Sequence, residues 1–171
     1  KVSKTKWEAG NQLGGYVWHT TGSGKTMTSF KSAQLIASSK DADKVIFLMD
    51  RIELGTQSLK EYRGFADENE SVQATENTGV LITKLKSTDP ADTLIVTSIQ
   101  KMSNIKDEAG GLKASDIEYI NGKRIVFIVD EAHRSTFGDM LITIKTTFPK
   151  AIFFGFTGTP IQDENQKKKN T

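Results

Sequence analysis

The sequence predicts an α/β fold with a mostly parallel β-sheet flanked by helices. Three observations carry that reading. Runs rich in Val, Ile, Leu and Phe recur at 45–49, 93–97, 124–129 and 151–156. They are apolar on successive residues rather than alternate ones, as in strands buried on both faces, and parallel sheets make such strands. Helical patterns stand between them, which is the alternation that builds a parallel sheet. Every stretch that carries candidate chemistry follows a strand, and open α/β sheets bind ligands at the carboxyl ends of their strands.

The chain has 171 residues, enough for one domain with an extended core. Its net charge of +2 neither demands nor excludes nucleic acid. With no cysteine, it can form neither a disulfide nor a thiolate metal site. No apolar run approaches the roughly 20 residues of a membrane-spanning helix. The opening Lys1-Val2-Ser3-Lys4 has neither an initiator methionine nor the apolar core of a signal peptide. The chain therefore reads as a piece of a longer protein.

Residues 1–14 are polar and read as an entry segment, with a first short strand at 15–18. A helix is expected over 25–38, where Met27, Phe30, Ala33, Leu35, Ile36 and Ala37 supply a core-facing side. The strand 45–49 closes at Asp50-Arg51. A helix over 52–63 and a weak strand at 71–74 follow. Thr78 is expected to cap a helix from Gly79 to Lys86, and Ser87-Thr88-Asp89-Pro90 is a turn. After the strand 93–97 comes a short helical stretch at 99–102. Residues 103–123 read as loop, with Ser115 capping a short turn through Tyr119. The strand 124–129, a helix over 138–147 and the strand 151–156 complete the fold. The domain is expected over 15–161, with 162–171 a polar tail or linker.

Chemistry concentrates in two places. Gly15-Tyr16-Val17-Trp18-His19-Thr20-Thr21-Gly22-Ser23-Gly24-Lys25-Thr26 is a strand, a glycine-rich turn and a helix start. Backbone N–H groups in such a turn form an anion cradle, and the helix N-terminus adds partial positive charge. Thr21, Gly22, Ser23, Gly24, Lys25 and Thr26 are the candidate nucleotide-binding residues. Lys25 is suited to reach the β- and γ-phosphates of ATP, and the Thr26 hydroxyl to ligate Mg²⁺. The strict pattern wants glycine where His19 stands. The second place is Asp130-Glu131, an acidic pair ending an apolar strand. Asp130 is suited to hold Mg²⁺ and Glu131 to orient an attacking water, so that Lys25, Asp130 and Glu131 form the candidate catalytic set. Read singly, the first stretch is also a plain strand–helix turn, and the second also a pair of solvated carboxylates.

Taken together, Gly22-Ser23-Gly24-Lys25-Thr26, Asp130-Glu131-Ala132-His133 and Thr157-Gly158-Thr159-Pro160 resemble the first motor domain of a superfamily 2 helicase or translocase, a RecA-like P-loop NTPase domain. The contexts Trp18-His19-Thr20-Thr21, His133-Arg134-Ser135 and Gly155-Phe156-Thr157-Gly158-Thr159-Pro160 are similar to the motor (R) subunit of type I restriction endonucleases. Asp50-Arg51, Glu76-Asn77-Thr78 and Val96-Thr97-Ser98-Ile99-Gln100-Lys101 carry the same resemblance, which covers residues 14–161.

The resemblance implies ATP-driven translocation on double-stranded DNA in a bacterial or archaeal cytoplasm. It implies methylation and specificity subunits as partners, and a second motor domain and a nuclease domain elsewhere in the full-length chain. Thr157, Gly158, Thr159 and Pro160 would couple hydrolysis to movement, with His133 linking them to the nucleotide or simply packing locally. Asp50, Arg51, Gln57, Thr97 and Gln100 would face the DNA backbone. For Arg51 a solvated charge is the other reading, and for Thr97 a helix cap. Another superfamily 2 motor, or a nucleotide-dependent binding module without turnover, are the alternatives. No lysine has Asp or Glu two positions before it, so the (Asp/Glu)-x-Lys pattern of restriction nucleases is absent from these 171 residues.

Overall fold

The computed structural model describes residues 14–18, 25–50, 77–107, 110–130 and 137–157. The elements are β1 (Gly15–Trp18), α1 (Lys25–Ser39), β2 (Lys44–Met49), α2 (Thr78–Lys86), a 3₁₀ turn at Pro90–Asp92, β3 (Leu94–Ser98), α3 (Ile99–Ser103), α4 (Ala114–Asn121), β4 (Ile125–Asp130), α5 (Phe137–Thr147) and β5 (Ile152–Thr157). The helix expected over 52–63 and the strand at 71–74 lie outside the described residues.

The five strands form one sheet in the order β1-β5-β4-β2-β3, and every pair is parallel. The apolar runs are explained by burial on both faces. Ile46 and Leu48 of β2, with Phe127 and Val129 of β4, face a core built with Leu81, Leu85, Ile99, Met102, Ile120, Ile144 and Phe148. Val45, Phe47 and Met49, with Val126 and Ile128, face the opposite core, where α1 supplies Phe30 and Ala33. One face is thus covered by α2 to α5 and the other by α1. Phe127 stacks on Phe153 with ring centroids 4.7 Å apart. Phe30 meets Phe47 edge-to-face at 5.8 Å. Both are arrangements that aromatic quadrupoles favour.

Several expected boundaries move. Asn77, not Thr78, caps α2: its Oδ1 accepts from the Val80 N–H at 3.1 Å, and Thr78 is the first helical residue. The region read as loop at 103–123 contains α4, and Ser115 lies inside that helix rather than capping it. The residue before α4 is Lys113, which has no side-chain acceptor. Asp116 compensates by accepting from the Lys113 backbone N–H at 3.3 Å and pairing with Lys86 at 2.8 Å. Strands β3, β4 and β5 each run one residue further than their apolar runs, because parallel pairing continues past the last apolar side chain.

The amino end of the sheet holds Lys44, only 1% exposed. Its Nζ donates to the Asp92 carbonyl at 2.7 Å. Burial, and then Lys123, push its pKa down to about 8, against the smaller pull of Asp92, Asp43 and Asp89. A lysine in the unfolded chain titrates near 10.4, so between about pH 8 and 10 the unfolded state binds more protons than the folded one. Stability should therefore rise with pH through that window, by about 1–3 kcal/mol, while below about pH 8 the burial cost is felt in full. Denaturant midpoints measured across pH 7–10.5 should show this rise in the wild type and lose it in Lys44→Met.

Candidate functional site

The carboxyl ends of the strands share one edge. Trp18 of β1 is in register with Thr157 of β5, and Phe156 of β5 with Asp130 of β4. Leu48 of β2 pairs with Val129, and Met49 with Ser98 of β3. With about 4.8 Å between neighbouring strands, the end of β1 lies about 10 Å from Asp130, with Thr157 between them. In sequence, residues 19–24 connect the end of β1 to the start of α1; they lie outside the described residues. The α1 backbone begins at Lys25 and Thr26, whose N–H groups are among the first in the helix and have no partner within it. A helix start of this kind favours anions.

Asp130 and Thr157 are each 2% exposed. Among the described residues no three His, Cys, Asp or Glu side chains cluster to hold a metal ion. Mg²⁺ does not require such a cluster, since it takes one or two carboxylates with substrate phosphates and water. Asp130, at the end of β4, is a carboxylate of the kind Mg²⁺ takes.

The side chains of Lys25 and Thr26 lie outside the described residues. So do Thr21, Gly22, Ser23, Gly24, Arg51, Gln57, Glu131, His133, Gly158, Thr159 and Pro160. Further along the edge, Asp50 follows β2 and is 8% exposed. Gln100 in the first turn of α3 donates from Nε2 to the Asp50 Oδ1 at 3.3 Å. Thr97 is fully buried within β3. The cap of α3 is Ser98, whose side chain accepts from the Lys101 N–H at 3.1 Å, so the cap reading of Thr97 is replaced by its neighbour. Lys101 in turn donates to the Thr78 Oγ1 at 3.4 Å, tying α3 to the start of α2. The Asp50–Gln100 contact joins residues 50 positions apart, and no local pattern announces it.

The model of the SWI2/SNF2 ATPase family matches residues 1–171. The chain belongs to the SWI2/SNF2 ATPase family. Its relatives bear out the motif resemblance. A type I restriction enzyme endonuclease subunit of Staphylococcus saprophyticus is 46% identical over 154 residues, 90% of this chain. A corresponding subunit of Staphylococcus aureus strain COL is 46% identical over 161 residues, 94% of this chain. This SWI2/SNF2 ATPase spans 16% of the length of each of those two relatives. Among solved structures, a nuclease-deletion mutant of the Type ISP restriction-modification enzyme LlaGI, in complex with a DNA substrate mimic, aligns with a TM-score of 0.56 at 21% identity. That alignment covers 94% of this chain and 18% of LlaGI. The UvsW helicase of bacteriophage T4 aligns with a TM-score of 0.56 at 13% identity, over 87% of this chain and 48% of its own. These likenesses establish the fold, which is the α/β parallel-sheet arrangement read from the sequence. Among the described residues no helix is long and apolar enough to cross a membrane.

Proposed function

We propose that this SWI2/SNF2 ATPase is the first motor module, residues 15–161, of a type I restriction enzyme's endonuclease subunit. In that reading, ATP hydrolysis drives movement along double-stranded DNA before a nuclease domain elsewhere in the subunit cuts. The observation that supports it is the register of the carboxyl edge, which lines up the end of β1, Thr157 and Asp130 on three adjacent strands. The relatives' names support the restriction setting.

Each residue then has a defined task. Backbone N–H groups of residues 21–26 would hold the phosphates, and Lys25 would neutralise charge across the β- and γ-positions. Thr26 and Asp130 would hold Mg²⁺, which would supply neutralisation of the charge that develops on the phosphates. Glu131 would orient the attacking water and receive its proton. Thr157, at the end of the strand between β1 and β4, with Gly158, Thr159 and Pro160 next to it in sequence, would sense the change in phosphate and pass it to the DNA track, with His133 as link. Arg51, Gln57 and Gln100 are proposed along that track, whereas Thr97, fully buried within β3, would support it from beneath rather than face DNA. The partners would be double-stranded DNA, the methylation and specificity subunits, and the second motor and nuclease domains of the full-length chain. Its place would be a bacterial or archaeal cytoplasm.

The test is phosphate release by the full-length subunit, assembled with its partners. Addition of double-stranded DNA carrying the recognised site should raise turnover at least tenfold. The contribution of this chain to DNA affinity should be independent of sequence and fall steeply with salt, because only backbone contacts are proposed. Turnover indifferent to DNA would contradict the motor reading.

A further inference from the structure

Asp50 stands where the sequence suggests a contact with the DNA backbone, yet a carboxylate is ill suited to that task. Beside a polyanion it repels, and it offers no donor to a phosphate oxygen. Its surroundings suggest another role. Asp50 is 8% exposed and immediately follows β2. In the sheet order, β2 lies between β4, which ends at Asp130, and β3, which runs into α3. Leu48 is level with Val129 and Met49 with Ser98, so Asp50 sits one residue beyond the level of Asp130 on the neighbouring strand. From there its Oδ1 accepts from the Gln100 Nε2 at 3.3 Å. Ser98 fixes the same turn of α3 from within by capping it.

We propose that Asp50 is a positioning residue: it anchors the Gln100 amide and ties the first turn of α3 to the strand beside the nucleotide carboxylate. This inference rests on the reading of Gln100 as a DNA-facing residue. The physical case is one of orientation. A glutamine has three rotatable side-chain bonds, and holding it in one rotamer costs conformational entropy. A buried carboxylate that accepts from Nε2 meets that cost before DNA arrives. It also fixes which end of the amide points inward, so that DNA meets a single arrangement of donor and acceptor. Because β2 adjoins β4, a shift of the Asp130 strand is felt at Asp50 and passed to α3 through a hydrogen bond rather than through a loop.

The test uses the full-length subunit in its complex, with turnover followed as double-stranded DNA is titrated. Asp50→Ala should raise the DNA concentration for half-maximal stimulation about five- to tenfold, with turnover at saturating DNA within about twofold of wild type. Asp50→Asn keeps an acceptor oxygen and should recover most of that loss. Gln100→Ala should weaken DNA stimulation similarly, and the double variant Asp50→Ala/Gln100→Ala should be no worse than either single one, because both remove the same contact. Additive losses, or an Asp50→Asn variant as poor as Asp50→Ala, would overturn the proposal. An Asp50→Asn variant that needs less DNA than wild type would show instead that the carboxylate faces the phosphates directly. If wild-type turnover does not respond to DNA at all, it is the motor reading that fails; the same variants' DNA affinities, measured by fluorescence anisotropy, then decide the Asp50–Gln100 coupling by itself.

Discussion

This chain alone should bind ATP and hydrolyse it about 10³–10⁵-fold more slowly than the full-length subunit with DNA. Charge builds on the γ-phosphoryl oxygens in the transition state, and an arginine finger that neutralises it is worth a factor of that size. The chain has four arginines, Arg51, Arg63, Arg124 and Arg134. Arg124 is committed elsewhere. Its guanidinium pairs with Asp43 at 3.1 Å, and its backbone N–H donates to the same carboxylate at 2.8 Å. It precedes β4, whereas Asp130 ends that strand. At about 3.3 Å per residue the two are about 20 Å apart along the strand. Arg51, Arg63 and Arg134 lie outside the described residues, and the motif resemblance gives none of them a finger role. The finger is thus proposed to come from the second motor domain, closing over the carboxyl edge from outside. Steady-state phosphate release with double-stranded DNA present checks this. Turnover near that of the full-length subunit would place the finger within these 171 residues.

Lys25→Ala should cost roughly 2–5 kcal/mol of ATP affinity, the range seen when one partner of a buried, charged hydrogen-bonded pair is truncated. The α1 N-terminus and the loop N–H groups remain in the variant and keep a residual attraction for phosphate. They carry partial charge only, worth about 0.3–1 kcal/mol at an exposed site. They cannot replace a full ammonium against the triphosphate, so the lysine dominates the loss.

Much of the fold is legible in the sequence, for a simple reason. Strands sandwiched between helical layers must be apolar on every residue, and Val45-Ile46-Phe47-Leu48-Met49 and Ile125-Val126-Phe127-Ile128-Val129 announce that directly. The glycine-rich stretch and the acidic pair stand out in the sequence because the proposed phosphate and Mg²⁺ chemistry would need those residue types at fixed offsets from a strand end; residues 19–24 and Glu131 lie outside the described residues. What escapes are features set by tertiary contact. The end of β4 includes Asp130 because Phe156 pairs with it across the sheet, not because aspartate favours strands. Helix α4 escapes because its flanks carry Gly110-Gly111 and Gly122, and because Lys113 stands where a capping side chain is expected. The left-handed φ of +77° at Gly110 marks a turn that ends well before the helix begins. The Asp50–Gln100 contact escapes because it depends on β2 and β3 being neighbours, which pairing alone decides.

The central claim is that the carboxyl edge of this sheet, at the loop between β1 and α1, is an ATP site. The measurement that meets it most directly is a calorimetric titration of Mg–ATP into this chain, with wild type and Lys25→Ala side by side. A saturable one-to-one isotherm for the wild type, weakened at least 30-fold in the variant, is the predicted result. Equal affinity in the two proteins would contradict it.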